Sequence, residues 1–249
     1  MRTAFITGAT SGIGKATATL LAKNGFRLII CGRRTEALEH TKAELSAFTE
    51  IFSLNFDQRY FEETENAFKT LPENWKNIDV LINNAGNAHG LDSLADGRIE
   101  DWDAMIDGNV KGILYVSKLI IPGMKEKNSG HIVNISSVAA RQTYANGVVY
   151  CASKRAVDVI SDGMRLELTE FGIKVTNIQP GLVETDFSSV RFKGDEERAK
   201  MVYEGYKALE PEDIADTIYY CINAPKHVAI SDLTIYPSAQ SEPRTVYKK

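Results

Sequence analysis

The chain has 249 residues, of which 43% are hydrophobic and 25% charged, a composition typical of a globular protein with enough apolar material for one large core. The net charge is −4 and there is no basic block, which argues against nucleic acid or an anionic membrane as the main partner. No run approaches the roughly 18 apolar residues of a membrane span, and the amino terminus enters a strand without an export signal, so we expect a cytoplasmic protein.

The first predicted element is a short strand over residues 2–6, which leads into a glycine-rich turn and then a helical pattern over 15–23. The backbone N–H groups and the helix dipole at such a turn suit a phosphate group. Gly8 permits the tight turn, Gly12 allows close approach of a pyrophosphate, and Gly14 lets helix and strand pack. A glycine triplet can be a simple tight turn, but its place in the first loop favours a dinucleotide site. The predicted contacts in this loop come from Gly8, Thr10, Ser11, Gly12, Ile13 and Gly14.

The second predicted strand covers 27–31 and ends at Gly32, which is followed by Arg33 and Arg34. An acidic residue here would bind the ribose 2′-hydroxyl of NAD, but two arginines occupy the place. Guanidinium groups suit a 2′-phosphate by charge and by forked hydrogen bonding. We therefore predict that the cofactor is NADP(H).

Short apolar strands continue to alternate with helical patterns along the rest of the chain. Strands are predicted over 50–54, 79–82, 131–135, 174–178 and 233–236, and helices over 35–48, 61–71, 100–123, 149–171 and 214–224. This alternation predicts an α/β fold, a Rossmann-like doubly wound parallel sheet of about seven strands with helices on both faces. No linker or repeat divides the chain, so we expect a single domain over 1–249. Ligands should collect at the carboxyl ends of the strands.

Tyr150 and Lys154 are the candidate chemical centre of the chain. Side chains four residues apart share one face of a helix, and a nearby ammonium favours a phenolate, which makes a usable general acid or base. Ser137 follows the strand over 131–135, and its hydroxyl could hold a substrate oxygen against the phenol. The alternative is a half-buried helix tyrosine with a solvated lysine neighbour. A second such pair, Tyr203 with Lys207, lacks the upstream serine and strand, and we interpret it as surface helix.

Cysteine and histidine positions give no sign of a disulfide framework or a metal centre. The three cysteines, Cys31, Cys151 and Cys221, are widely scattered, as expected of reduced thiols. The four histidines have no metal-ligand spacing, so we predict no metal.

Together these residues resemble the short-chain dehydrogenase/reductase family over nearly the whole chain. The order and spacing of the following positions carry the resemblance: 7–14, 83–86, Asn109, Ser137, Tyr150, Lys154, Pro180 and Gly181. The resemblance implies that Tyr150 is the acid/base, that Ser137 polarises the substrate carbonyl, and that Lys154 binds the nicotinamide ribose and lowers the Tyr150 pKa. It implies that Asn109 holds a water in a proton relay; the alternative is a mid-helix asparagine that makes backbone bonds.

The same resemblance extends the expected cofactor contacts to later loops. It places Asn84, Ala85 and Gly86 on the adenosine side, Thr185 at the carboxamide, and Pro180, Gly181 and Val183 in the same site. One position departs from the family pattern, because Asn55 stands where an aspartate usually accepts from the adenine amino group. Asn55 keeps a carbonyl acceptor, so adenine binding is expected to weaken and not to disappear. Asp57 lies close enough in sequence to be mistaken for the missing acid.

Three later segments, over 100–107, 180–187 and 190–195, resemble the NADP-dependent 3-hydroxy acid (serine or allo-threonine) dehydrogenases of this family. That resemblance implies a small hydroxy acid or carbonyl substrate, of the serine, allo-threonine or 3-hydroxypropionate/malonic semialdehyde type, and a substrate lid over about 187–206. Arg191 and Lys193 could pair with a substrate carboxylate, although solvated surface charge is the favoured interpretation of each.

Two other functions remain open from the sequence. A reductase for bulkier ketones or sugars would use the same catalytic group, and a non-catalytic NADP-binding sensor would share the scaffold, although such sensors are expected to lose the tyrosine or the lysine. The family resemblance further implies a homotetramer, or a homodimer, formed partly through the helices over 100–123 and 149–171.

Overall fold

The computed structural model of the chain describes residues 1–248 and contains one seven-stranded parallel sheet in the order β3-β2-β1-β4-β5-β6-β7. Its strands are β1 Thr3–Thr7, β2 Arg27–Gly32, β3 Ile51–Asn55, β4 Val80–Asn83, β5 Gly130–Ile135, β6 Ile173–Pro180 and β7 Asp232–Ile235. A separate antiparallel hairpin follows, made of β8 Gln240–Glu242 and β9 Thr245–Val246. The predicted parallel α/β sheet is therefore confirmed.

Helices cover both faces of the sheet. They are α1 Gly12–Lys23, α2 Thr35–Leu45, α3 Phe61–Lys69, α4 Ile99–Ile106, α5 Gly112–Glu126, α6 Val148–Leu168, α7 Phe187–Arg191, α8 Glu196–Met201 and α9 Pro211–Ile222. Their ends follow local chemistry: α9 begins with Pro at its first position and a capping box in which the Asp213 side chain accepts from the Glu210 backbone N–H at 2.8 Å.

The strands are apolar throughout because each face packs against a layer of helices. Every residue of β1 is buried. Ala4 and Ile6 face the layer formed by α1, α2 and α9, while Phe5 faces the layer that contains α5 and α6. The sheet order reverses between β1 and β4, which opens a crevice at the carboxyl ends of those strands.

Two predicted helices are interrupted or changed in type within their predicted range, while the others differ from the structure only at their ends. The helix expected over 100–123 is broken by one π-helical turn, Asp107–Lys111, which separates α4 from α5. The helix expected over 149–171 ends as α6 at Leu168 and continues as a short 3₁₀ turn, Thr169–Phe171.

The interpretation of Tyr203 and Lys207 as surface helix is wrong. Tyr203 lies in a turn after α8 and is partly buried. Its hydroxyl donates to the Val183 carbonyl at 3.0 Å and is 2.8 Å from Ser188 Oγ. The turn closes at Gly205, whose φ of +81° is a left-handed conformation.

Within residues 1–248, no helix is long and apolar enough to cross a membrane. The same part of the chain has no cluster of three or more His, Cys, Asp or Glu side chains that could bind a metal ion. The three cysteines are buried and unpaired.

Candidate active site

A cavity of about 460 Å³ lies at the carboxyl ends of the central strands. Sixteen of the predicted cofactor-site residues line it: Gly8, Thr10, Ser11, Gly12, Ile13, Arg33, Arg34, Asn84, Ala85, Gly86, Tyr150, Lys154, Pro180, Gly181, Val183 and Thr185. Ser137 and Arg191 also line it, whereas Gly14, Asn55, Asn109 and Lys193 are not among its lining residues. The topology thus brings together residues that lie up to about 180 positions apart in sequence.

The glycine loop forms the floor of one end of the cavity and depends on backbone that only glycine adopts freely. Gly8 has φ +65°, in the left-handed region. A Cβ atom on Gly14 would collide with the Gly8 carbonyl and with the Asn84 side chain. The loop and the start of α1 therefore pack closely and leave room on the open side for a phosphate.

The loop after β4 is fastened to the glycine loop by reciprocal hydrogen bonds. Thr7 Oγ1 accepts from the backbone N–H of Asn84 at 3.0 Å and of Ala85 at 2.9 Å. In return, Asn84 Nδ2 donates to the carbonyls of Thr7 at 3.0 Å and Gly8 at 3.2 Å. This role of Thr7 could not be predicted from its neighbours in sequence, because its partners lie more than 70 residues away, in the loop after β4.

Arg34 reaches back across the glycine loop. Its Nη2 lies 3.2 Å from Thr10 Oγ1 and 3.3 Å from Ser11 Oγ, so the guanidinium is held over the place where a phosphate would lie. Arg33 is half exposed and its Nη1 is 3.8 Å from Asp57 Oδ2. Asp57 is itself paired with Arg59 at 2.6 Å. Both arginines therefore face the cavity, but Arg33 shares its charge with a carboxylate.

A hydrogen bond to the neighbouring strand orients the side-chain amide of Asn55. Its Nδ2 donates to the Gly32 carbonyl at 2.9 Å, so Oδ1 stays available as an acceptor. The cavity wall next to it is made by Phe56, Asp57 and Gln58. Gln58 holds this wall in place, because its Nε2 donates to the carbonyls of Ala85 at 3.0 Å and Gly108 at 2.8 Å. No local sequence pattern predicts this role.

Tyr150 and Lys154 project from the first turns of α6, and both are buried, with 8% and 5% of their surface exposed. Lys154 Nζ donates to the Ile135 carbonyl at 2.9 Å, at the end of β5. Ser137 follows that strand, and its Oγ accepts from the Ala139 backbone N–H at 3.1 Å. The serine, the phenol and the ammonium thus line one region of the cavity, as the spacing predicted.

Burial, and not Lys154, sets the direction of the Tyr150 pKa shift in this structure, so the prediction that Lys154 lowers that pKa stays a prediction. Burial raises the pKa of Tyr150 well above its usual range, while hydrogen bonding with Ser137 and the charge of Arg191 act in the opposite direction. Burial also lowers the pKa of Lys154 to about 8, against the pull of Asp158. Lys154 therefore keeps most of its charge at pH 7, but its ammonium is directed at a backbone carbonyl.

Asn109 lies in the π-helical turn and is fully buried. Its side chain is fastened on both sides, since Oδ1 accepts from the Asn87 N–H at 2.8 Å and Nδ2 donates to the Asn87 carbonyl at 2.8 Å. A Cβ atom on Gly86 would lie 3.0 Å from Asn109 Oδ1 and 3.3 Å from Lys154 Nζ. The Asn109 amide and the Lys154 ammonium therefore both lie close to Gly86, which has no side chain to separate them from the backbone.

The segment after β6 covers the other side of Tyr150. The Phe187 ring packs against the Tyr150 ring with centroids 5.7 Å apart. The Arg191 guanidinium carbon lies 5.6 Å from the centroid of Tyr150 and 5.7 Å from that of Tyr144. Arg191 Nε donates to the Gly90 carbonyl at 3.3 Å, whereas Nη2 is buried and has no hydrogen-bond partner within residues 1–248.

Arg191 and Lys193 therefore have different environments. The interpretation of Arg191 as solvated surface charge is wrong, because its guanidinium lies inside the cavity. Lys193 matches that interpretation, since it is exposed and its Nζ pairs with Asp101 at 2.7 Å. Tyr144 and Arg244, which also line the cavity, were not predicted, and no local sequence pattern points to either.

Comparison with known proteins agrees with this geometry. Residues 2–196 match a family model described as short chain dehydrogenase. The chain is 43% identical over 238 residues to an NADP-dependent 3-hydroxy acid dehydrogenase of Salmonella typhi, with 95% of each chain covered. It is 39% identical over 251 residues to an NADP-dependent 3-hydroxy acid dehydrogenase of Schizosaccharomyces pombe, covering 100% of this chain and 97% of the relative. A closed form of serine dehydrogenase complexed with NADP⁺ superposes with a TM-score of 0.93, at 40% identity and 99% coverage of both chains.

Proposed function

The chain belongs to the short-chain dehydrogenase family, and from this premise we propose that it is an NADP-dependent oxidoreductase acting on small 3-hydroxy acids and the matching 3-oxo acids. The family predicted from the motifs is confirmed by the family match and by the relatives. Several relatives are named for this activity, and the serine dehydrogenase structure that superposes on the chain was solved with NADP⁺.

The residues of the cavity fit NADP(H). The bare glycine loop offers backbone N–H groups to a pyrophosphate, and Arg33 and Arg34 offer cations to a 2′-phosphate. We propose that Asn55 Oδ1 accepts from the adenine amino group, and that the loop over 84–86 with Pro180, Gly181, Val183 and Thr185 lines the rest of the cofactor site. The bound cofactor supplies the hydride in reduction and accepts it in oxidation.

We propose that Tyr150 transfers the proton and that Ser137 holds the substrate oxygen. In the reductive direction the phenol gives its proton to the carbonyl oxygen as the hydride reaches the carbon, which leaves an alcohol and a phenolate. The Ser137 hydroxyl donates to the same oxygen and stabilises its developing charge. Lys154 and Asn109 converge on Gly86, and we propose that they hold the ribose and a water through which Tyr150 recovers its proton.

The observation that carries the acid specificity is the unpartnered Nη2 of Arg191 beside Tyr150. A buried guanidinium donor without a partner is costly, so the site favours a ligand that supplies an acceptor. In a 3-hydroxy acid the carboxylate lies two carbons from the alcohol. With the alcohol held at Tyr150 and Ser137, that carboxylate reaches the neighbouring arginine.

The test compares an acid with its own methyl ester, for example 3-hydroxybutyrate with methyl 3-hydroxybutyrate. We expect kcat/KM to be much higher for the acid, and we expect Arg191→Ala to raise KM for the acid about ten-fold or more while it changes the ester little. Arg98→Ala is the matched control, because Arg98 is exposed, pairs with Glu100 and does not line the cavity. Equal use of acid and ester by the wild type would instead support a general ketone reductase.

Three further features belong to this proposal. Residues 187–206 would form a substrate lid within one domain spanning 1–249. A homotetramer is expected, because α5 and α6 carry exposed apolar side chains, Leu114, Val159 and Leu166; light scattering would measure the mass of the particle. Cytoplasmic location is likewise proposed, and cell fractionation would test it.

A further inference from the structure

Arg244 brings a second cation to the substrate end of the cavity. It lies in the turn between β8 and β9, and its guanidinium carbon is 5.3 Å from the centroid of the Tyr144 ring. The hairpin is held in place because Gln240 Oε1 accepts from the Leu182 N–H at 2.9 Å, next to the cavity wall. The fold therefore places the backbone of Arg244 beside the cavity.

Arg191 and Arg244 lie at different depths. Arg191 contacts the rings of both Tyr144 and Tyr150, whereas Arg244 contacts Tyr144 and is exposed. Both arginine charges lower the pKa of Tyr144 against the larger effect of burial, but of the two only Arg191 is among the main influences on Tyr150. Arg244 is thus the outer cation, farther from the reacting carbon.

The cofactor phosphates do not account for Arg244. Arg33 and Arg34 follow β2, at the glycine-loop end of the cavity, and the phosphate-facing hydrogen bonds of Arg34 are at Thr10 and Ser11. No carboxylate within residues 1–248 lies in ion-pair distance of Arg244. A guanidinium stacked on an aromatic face keeps its edge donors available for an anion.

We propose that Arg244 binds a second anionic group of the substrate, so that the chain also acts on 3-hydroxy dicarboxylic acids. This inference rests on the proposed function, because Arg191 must hold the carboxylate two carbons from the alcohol. The second carboxylate then extends past Tyr144 towards the hairpin. Arg244 is a specificity-determining residue that leaves the chemistry at Tyr150 unchanged.

The test uses 3-hydroxyadipate and its 6-monomethyl ester, two substrates of similar size that differ in one charge. In 3-hydroxyadipate the second carboxylate lies one carbon farther from the reacting carbon than the first. The measured quantity is the ratio of their kcat/KM values. We expect Arg244→Gln to lower this ratio about three-fold or more, as for an exposed ion pair, with little change for the monoester. Arg244→Lys should keep most of the ratio because it keeps the charge, and Arg98→Ala, at an exposed arginine that does not line the cavity, should keep all of it. An unchanged ratio in Arg244→Gln, or an equal loss on both substrates, would overturn the proposal.

A second arm needs no variant. Raising the ionic strength should lower the same ratio in the wild-type protein, because exposed charge pairs are screened; a ratio that does not respond to salt counts against Arg244. The two proposals fail in different ways. Equal use of 3-hydroxybutyrate and its methyl ester removes the acid specificity, whereas a preference for the acid together with an unchanged dicarboxylate ratio in Arg244→Gln removes the role of Arg244 alone.

Discussion

Replacing Arg33 and Arg34 by alanine should remove most of the preference for NADPH over NADH. A hydrogen bond to a charged group contributes about 1.5–3 kcal/mol, and each 1.36 kcal/mol is a factor of ten. Exposure reduces this value, and Arg33 is 52% exposed. We therefore expect the double variant to lose about ten-fold or more of the NADPH/NADH ratio of kcat/KM.

The structure ranks the two arginines. Arg34 is held over the glycine loop by Thr10 and Ser11, while Arg33 lies 3.8 Å from Asp57 and shares its charge. Arg34→Ala should therefore reduce the ratio more than Arg33→Ala. Asp57→Asn removes the competing carboxylate and should raise the ratio about two- to three-fold, the range of an exposed pair.

Initial rates with both cofactors at one saturating substrate concentration give these ratios. Arg98→Ala is the matched control, since Arg98 is exposed and pairs with Glu100 outside the cavity. A double variant that keeps the wild-type ratio while it turns over normally would refute the assignment. A ratio lowered by Asp57→Asn would refute the competition between Asp57 and the cofactor for Arg33.

Two further predictions concern the proton donor and acid stability. Tyr150→Phe should lower kcat by about 10²–10⁴-fold while NADPH binding, measured by fluorescence, stays nearly unchanged. The matched Tyr203→Phe should keep most activity, because the Tyr203 hydroxyl bonds to Val183 and Ser188. If Tyr203→Phe loses activity and Tyr150→Phe keeps it, Tyr150 is not the proton donor. His131 is buried, and burial is the main cause that lowers its pKa from 6.5 to about 4 in the folded protein. As the pH falls from about 6.5 towards 4, the unfolded chain therefore binds a proton at His131 that the folded protein does not, and stability is lost. From pH 7 to pH 5 this residue should cost about 2 kcal/mol of unfolding free energy, measured by denaturant titration, and His131→Gln should lack that part of the loss; an identical pH dependence in the variant would contradict it.

The sheet could be predicted from the sequence because burial on both faces leaves a direct signal. β1 and β2 are short apolar runs bounded by glycine or polar residues, and the structure begins and ends them within about one residue of the prediction. The glycine loop could be predicted for a similar reason, because the positive φ at Gly8 is a local requirement for glycine. Elements whose pattern reflects contacts within a few residues are those that the sequence specifies.

The π-helical turn at Asp107–Lys111 could not be predicted in the same way. One extra residue in a helix turns the following residues by about 100°, but the apolar spacing resumes after it and resembles one continuous helix. The positions of Arg191 and Arg244 at the cavity could not be predicted from the sequence for another reason. Both are defined by their contacts with Tyr144, which lies 47 and 100 positions away from them in sequence.

Tyr150 shows that the spacing of two residues does not determine the pKa of either one. The spacing of four residues on α6 places Tyr150 and Lys154 on one face of the helix. It does not determine where the ammonium points, and in the structure Lys154 Nζ donates to the Ile135 carbonyl. Burial then acts on both groups, raising the pKa of the phenol and lowering that of the lysine. A phenol that holds its proton at neutral pH is ready to donate it to a carbonyl, which is the reductive direction. Oxidation of an alcohol requires the phenolate, and Arg191, the same residue that we propose binds the substrate carboxylate, is a cation that favours the phenolate in this structure. A bound acid would neutralise that cation, so the carboxylate that confers specificity would also help Tyr150 to keep its proton.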